Sequence, residues 1–154
     1  MSETEPGDGK IAVTNRKARH DYHILDSVEA GIVLTGTEVK SLRQGRANLT
    51  DGHARIEKGE AWLHGMHISP YEQGSYANVD PVRKRKLLLH RNEIRRLTVK
   101  VAEKGLTLVP LRVYFVKNRA KVEIAVCRGK KFYDKREDIA RREVERDLRR
   151  KYAR

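Results

Sequence analysis

The sequence predicts a mainly β fold: a small closed antiparallel β-barrel with short helices packed on it and a basic C-terminal tail. Three observations carry this. Short segments alternate apolar and polar residues with the two-residue period of a half-buried strand. Only two segments of the folded region show helical spacing. From Arg128 onward the alternation ends and charge takes over. A chain of 154 residues is the length of one domain. It buries roughly two-thirds of its unfolded surface on folding, enough for a core without disulfides.

The first ten residues carry Glu3, Glu5 and Asp8 against a single Lys10, with a proline and glycines among them. They read as a disordered acidic N-terminus and not as a signal or transit peptide. The barrel is placed at 11–128. Tyr22 to Val28 reads as a strand. Thr35 and Glu38 stand at capping-box spacing, with Val39 and Leu42 behind them, so a short helix runs to about Gln44 and stops at Gly45. Segments 54–56 and 61–63 flank Lys58-Gly59 and read as a hairpin. Residues 69–81, with Gly74 and two prolines, read as a surface loop. A second helix runs from about Asn92 to Lys104, with Ile94, Leu97 and Val101 as its apolar stripe and Gly105 as its stop. Leu106 to Val116 is apolar and β-branched, and Pro110 marks an edge or a bulge. Lys117-Asn118 is a turn, and Val122, Ile124 and Val126 alternate with polar neighbours in a last half-buried strand.

The tail, 129–154, differs in kind. From Arg128 to the end there are twelve Lys or Arg against six Asp or Glu. Glu137–Arg141, Asp138–Arg142, Glu145–Arg149 and Asp147–Lys151 are ion pairs in the favourable order for a helix. Val144, Leu148 and Tyr152 make only a thin stripe. The expectation is a flexible tail that becomes helical when phosphates hold it.

Charge sets the partner class. The net charge is +13, and 36% of residues are charged. So basic a fold is drawn to polyanions, nucleic acid first and an anionic membrane surface second. Three cationic runs stand out: Asn15 to His20 with Arg16, Lys17 and Arg19; Arg83 to Lys86 with Arg83, Arg85 and Lys86; and Arg128 to Arg136 with Phe132 and Tyr133 interleaved. Cations displace counterions from phosphates, and aromatics stack on unpaired bases.

Other chemistries find little support. Cys127 is the one cysteine, so neither an internal disulfide nor a multi-cysteine zinc site is available, and a reducing, cytoplasmic setting fits. His20-x-x-His23 and His64-x-x-His67 lack a completing cluster, and surface or packing histidines explain them more simply. No nucleophile elbow, phosphate loop or dinucleotide fingerprint occurs. No cofactor, metal or catalytic residue is expected. Asp134 and Asp138 could be imagined as nuclease acids, but ion pairing with neighbouring cations is simpler. The longest aliphatic run, Leu87-Leu88-Leu89, is far too short to span a bilayer.

Several long segments stand in a recognisable order: 15–22 (NRKARHDY), 29–31 (EAG), 36–43 (GTEVKSLR), 45–51 (GRANLTD), 85–89 (RKLLL), 121–126 (KVEIAV) and 129–136 (GKKFYDKR). In these the sequence resembles the small protein B family, the tmRNA-binding (SsrA-binding) proteins of bacteria, from about Ile11 to Arg142. The resemblance implies an oligonucleotide-binding (OB-type) barrel and a role in trans-translation, the rescue of stalled ribosomes. It implies binding to the tRNA-like domain of tmRNA and contact with the ribosomal RNA of the small subunit. Alanyl-tRNA synthetase and elongation factor Tu would be met indirectly, through that RNA. It places Glu29, Leu88 and Lys121 on the RNA-binding face, His20 near the decoding centre, and Gly129, Lys130, Lys131, Asp134, Lys135 and Arg136 in the tail that occupies the message channel. Which of Leu87, Leu88 and Leu89 points outward stays open. A monomer is expected. Val144 departs from a tryptophan found in some members, and no residue roles are carried beyond Arg142. A general single-stranded-RNA-binding or ribosomal protein on the same barrel is the alternative.

Overall fold

A computed structural model of the chain describes residues 10–129. They form β1 (Ile11–Thr14), α1 (Arg16–Asp21), β2 (Tyr22–Ile32), α2 (Gly36–Arg43), β3 (Ala47–Asn48), β4 (His53–Glu57), β5 (Glu60–His64), β6 (His67–Ile68), a 3-10 turn (Glu72–Ala77), β7 (Arg85–Leu88), α3 (Arg91–Val101), β8 (Leu106–Val116) and β9 (Arg119–Gly129). The fold is mainly β, with one large antiparallel sheet and few helices. Its strand order is β1-β8-β4-β5-β7-β2-β9, and β8 also pairs with β9. The hydrogen-bonded path that leaves β8 through β4 therefore returns to it through β9. β3 and β6 form a separate two-stranded ribbon.

Local chemistry sets the turns. Lys58 and Gly59 have φ of 52° and 78°, the left-handed pair that a two-residue hairpin needs to match strand twist. Lys117 and Asn118, at 49° and 66°, do the same between β8 and β9. Pro110 has no N–H to give the ladder, and the β8–β9 register shifts between Pro110 and Arg112. The proline marks a bulge inside a central strand, not an edge. At α2, Thr35 Oγ1 accepts from the Glu38 amide at 3.3 Å while a Glu38 carboxylate oxygen accepts from the Thr35 amide at 2.9 Å.

Alternate residues of β2, β5, β7, β8 and β9 point into one core built around Leu63, Leu87, Val113, Val122, Ile124 and Val126, closed by Leu42 of α2 and Leu97 of α3. A smaller cluster lies on the outer face, where Ala18 of α1 covers Val109, Leu111, Ala125 and Cys127. Burial pushes the Cys127 thiol up to about 11, so this cysteine serves packing.

Three readings shift. The strands β2 and β9 each run 11 residues, longer than their apolar alternation predicts, because β9 is paired with β2 on one side and β8 on the other, and β2 is paired with β9 along most of its length. α3 ends at Val101, short of Lys104. The helix α1 went unread: its six residues bury only Ala18, so no apolar period signals it. Its anchor is Asn15, whose side chain accepts from the Ala18 amide at 3.2 Å and donates to the carbonyls of Leu49 and Pro110 at 3.2 and 2.9 Å.

Candidate nucleic-acid interface

Four strands place one row of side chains on the outer face of the sheet. Leu88 of β7 is opposite Gly31 of β2, Gly31 is opposite Lys121 of β9, and Lys121 is opposite Tyr114 of β8. Residues directly opposite one another share a face, so this row is continuous. Glu29 stands two residues before Gly31 on that same face. Three members of the row, Leu88, Gly31 and Lys121, floor a groove of about 790 Å³ that is also lined by Glu29, His90 and Arg119. The three residues that the family resemblance singled out, Glu29, Leu88 and Lys121, thus meet in one depression.

The leucine run resolves by alternation. Leu87 is 2% exposed and belongs to the core, whereas Leu88 is 55% exposed and faces the groove. Leu89 is half-buried against the core margin. Gly31 keeps the floor open, because a Cβ there would lie 3.2 Å from the Leu88 Cβ. A side chain at position 31 would fill the space between Leu88 and Lys121.

Glu29 is held in place. The Tyr114 hydroxyl donates to its Oε2 at 2.5 Å. Tyr114 is buried at 1% exposure. Burial, and then acceptance by the Glu29 carboxylate, push the phenol well above its ordinary range, so it remains a donor at neutral pH. Glu123 sits directly opposite Glu29 in the β2–β9 ladder, and Arg112 Nε donates to Glu123 at 2.8 Å. Each carboxylate of this like-charged pair therefore has its own donor. The site offers an apolar wall, a carboxylate fixed at one oxygen, and two cations, Arg119 and Lys121. The sequence reading missed Tyr114, Gly31 and Arg119, since only the strand register assembles them.

The cationic runs divide. On α1, Arg16, Lys17, Arg19 and His20 are exposed. The His20 side chain is 81% exposed, its Nδ1 3.0 Å from the Asp21 carboxylate. The second run does not survive as a patch. Arg85, expected among the RNA-binding cations, is fully buried, with Nε donating to Glu38 at 2.7 Å and its terminal nitrogens donating to the carbonyls of Met66 and Pro81 at 2.6 and 3.0 Å. Alternation on β7 points it inward, and a guanidinium without water must find such partners. Arg83 closes on the same carboxylate at 2.5 Å. Burial opposes the charge on Glu38, yet the hydrogen bonds from Arg83 and the Thr35 amide and the charge of Arg85 hold its carboxyl below the ordinary carboxylate range. Lys86 remains at the surface, paired with Glu60 at 2.7 Å.

Gly129 ends β9 opposite Tyr22, at the start of β2. Gly31 lies nine positions along β2 from Tyr22, about 30 Å at the rise of an extended strand. His20 and Gly129 therefore lie at one end of the β2–β9 ladder and the groove at the other. Lys130, Lys131, Asp134, Lys135 and Arg136 lie outside the described residues.

Among the described residues no group of three His, Cys, Asp or Glu side chains could hold a metal ion. His64 bonds Glu57 at 2.9 Å and stacks on His53 at 5.5 Å, which gives it a packing role. Among the described residues no helix is long and apolar enough to cross a membrane.

Known proteins match this geometry and sequence throughout. The family model described as SmpB protein matches residues 12–154. The SsrA-binding protein of Desulforudis audaxviator (strain MP104C) is 63% identical over 139 residues, which cover 90% of this chain and 91% of that protein. That of Carboxydothermus hydrogenoformans is 61% identical over 139 residues, covering 90% and 93%. A solved chain described as "tmRNA-SmpB: a journey to the center of the bacterial ribosome" is 61% identical, with a TM-score of 0.67, covering 77% of this chain and 84% of that one. With a family model spanning nearly its whole length and relatives above 60% identity, the chain belongs to the SmpB family.

Proposed function

We propose that this protein is an RNA-binding adaptor that binds tmRNA and serves trans-translation on the ribosome, by contact and placement and without covalent chemistry. The observation that carries the reading is the convergence of Glu29, Leu88 and Lys121 on one groove. An apolar wall, a fixed acceptor and a cation suit an unpaired nucleotide: base or ribose against Leu88, a base edge or 2′-hydroxyl on Glu29, and phosphate on Lys121. Relatives named SsrA-binding proteins and a solved relative named with tmRNA and the ribosome support the same reading.

The finer reading has several parts. The returning strand path supports a closed OB-type barrel over residues 11–128. The groove takes the tRNA-like domain of tmRNA. Alanyl-tRNA synthetase and elongation factor Tu are met only through that RNA. His20 approaches the decoding centre of the small subunit, and residues 129–154 take the message channel through Gly129, Lys130, Lys131, Asp134, Lys135 and Arg136. The separation of about 30 Å along β2 favours this division, since RNA in the groove and contacts at the Gly129 end need not compete for surface. The protein acts as a monomer in the cytoplasm.

Competition binding tests the reading. At matched physiological salt, tmRNA should displace a labelled tmRNA probe far better than generic tRNA or unstructured single strands. Equal displacement would instead mark a general single-strand-binding or ribosomal protein. Incubation with magnesium or manganese should leave the RNA intact.

A further inference from the structure

The outer face of α3 carries charge that the helix itself does not want. Leu97 is buried in the core, Val101 packs against it, and Ile94, one turn before Leu97, is half-buried. With a 100° turn per residue, the opposite arc is made by Arg91, Asn92, Arg95, Arg96, Val99 and Lys100. All six are exposed, and Val99 is 68% exposed. The arc holds four cations and no acid. A solvated helix face ordinarily pairs opposite charges four residues apart. Here Arg91–Arg95 and Arg96–Lys100 are like-charged at that spacing, which costs helix stability. Arg91 also stands in the first turn, where the helix dipole disfavours a cation. Of these four cations only Arg96 has an acidic partner among the described residues, Asp26 at a distant 3.9 Å.

The position of this arc matters as much as its charge. His90 and Glu93, at the start of α3, line the groove together with Leu88. The groove's own charges nearly cancel, Glu29 and Glu93 against Arg119 and Lys121, so it cannot by itself neutralise a polyanion.

We infer that the Arg91–Lys100 face of α3 is a second RNA contact, a phosphate-binding track that starts at the groove rim and holds the backbone of the same tmRNA whose nucleotide occupies the groove. Charge complementarity and continuity with the groove select that occupant. Val99 supplies an apolar contact to ribose within the cationic arc. The inference rests on the tmRNA-binding reading.

The test is the triple variant Arg91→Gln/Arg95→Gln/Lys100→Gln in the full chain, with purified tmRNA. Each lost phosphate contact lowers the slope of log Kobs against log[salt] by roughly 0.7–0.9, so the slope should fall by about two to three and affinity at low salt by roughly ten- to a hundredfold. Thermal melting should stay level or rise, because like-charge pairs are removed. An unchanged slope with tmRNA still bound overturns the α3 track while leaving the groove reading intact. Normal tmRNA binding with a defect only in ribosome association assigns the face to ribosomal RNA and equally overturns it. Failure of the unmodified protein to prefer tmRNA overturns the groove reading instead.

Discussion

Tyr114 and Glu29 join two strands that are not hydrogen-bonded to each other, the Tyr114 hydroxyl reaching past β9 to the Glu29 carboxylate at 2.5 Å. The bond leaves Glu29 Oε1 without a partner among the described residues and fixes its direction. Tyr114→Phe keeps the ring in place and removes the donor. A hydrogen bond to a charged group contributes about 1.5–3 kcal/mol, and exposure of Glu29 brings the expected stability loss down to about 1 kcal/mol. Affinity for tmRNA should fall, because the freed Glu29 carboxylate must be ordered on binding, with the salt slope unchanged because no phosphate contact is touched. In a double-mutant cycle, Glu29→Gln should add little to Tyr114→Phe. Independent, additive losses would show that the phenol does not act through Glu29.

Arg85 and Lys86 are neighbours in sequence with opposite fates. Arg85→Met should cost about 3 kcal/mol or more in urea unfolding, because Glu38 would lose a buried partner and two carbonyls their donor. Lys86→Met should change stability by less than about 0.5 kcal/mol, since its pair with Glu60 is exposed. Comparable losses for both would contradict the burial difference.

Glu38 makes stability pH-dependent in a stated direction. Its folded carboxyl titrates below its ordinary value of 4.5. The unfolded chain therefore binds that proton first, and stability from this group is fully present above about pH 4.5 and is lost as pH falls through the lower folded value. Glu38→Gln should flatten this part of the acid limb while lowering stability at neutral pH. An acid limb of unchanged steepness in denaturant melts between about pH 5 and 3 would assign the loss to other carboxylates.

Lys121→Glu should weaken tmRNA binding and reduce the salt slope by about one, without loss of fold, because its side chain lies at the groove surface. Gly31→Ala places a methyl group against Leu88 and should reduce tmRNA affinity by narrowing the groove while the salt slope stays put. A Gly31→Ala protein with full affinity would mean that RNA does not approach this floor.

Deleting the chain from Asp134 onward should leave tmRNA affinity nearly intact and abolish tagging on ribosomes. Loss of affinity on truncation would show that the tail takes a direct share in holding the RNA.

Much of the fold is legible where periodicity speaks. Val122, Ile124 and Val126 announce their strand, the Thr35–Glu38 spacing announces a cap, and Lys58-Gly59 announces a hairpin. What stays hidden depends on register. Nothing in sequence places Tyr114 beside Glu29, which is 85 positions away, and nothing in a run of Arg83 to Lys86 separates the buried arginine from the exposed lysine except the strand that carries them. The helix α1 is hidden for a different reason: a single buried alanine and a buried Asn15 hold it, and neither makes a pattern. Glu29, Leu88 and Lys121 were known only through family resemblance; their meeting in one groove is a product of pairing across β7, β2 and β9.

The ladder between Tyr22 and Gly31 also has a mechanical side. A protein anchored at the groove and drawn at Gly129 is loaded along β9, not across it. Its interstrand hydrogen bonds lie perpendicular to that pull, so those to β2 and to β8 share the load in shear and cannot peel one at a time. Under such a pull the geometry makes β9 a tension member.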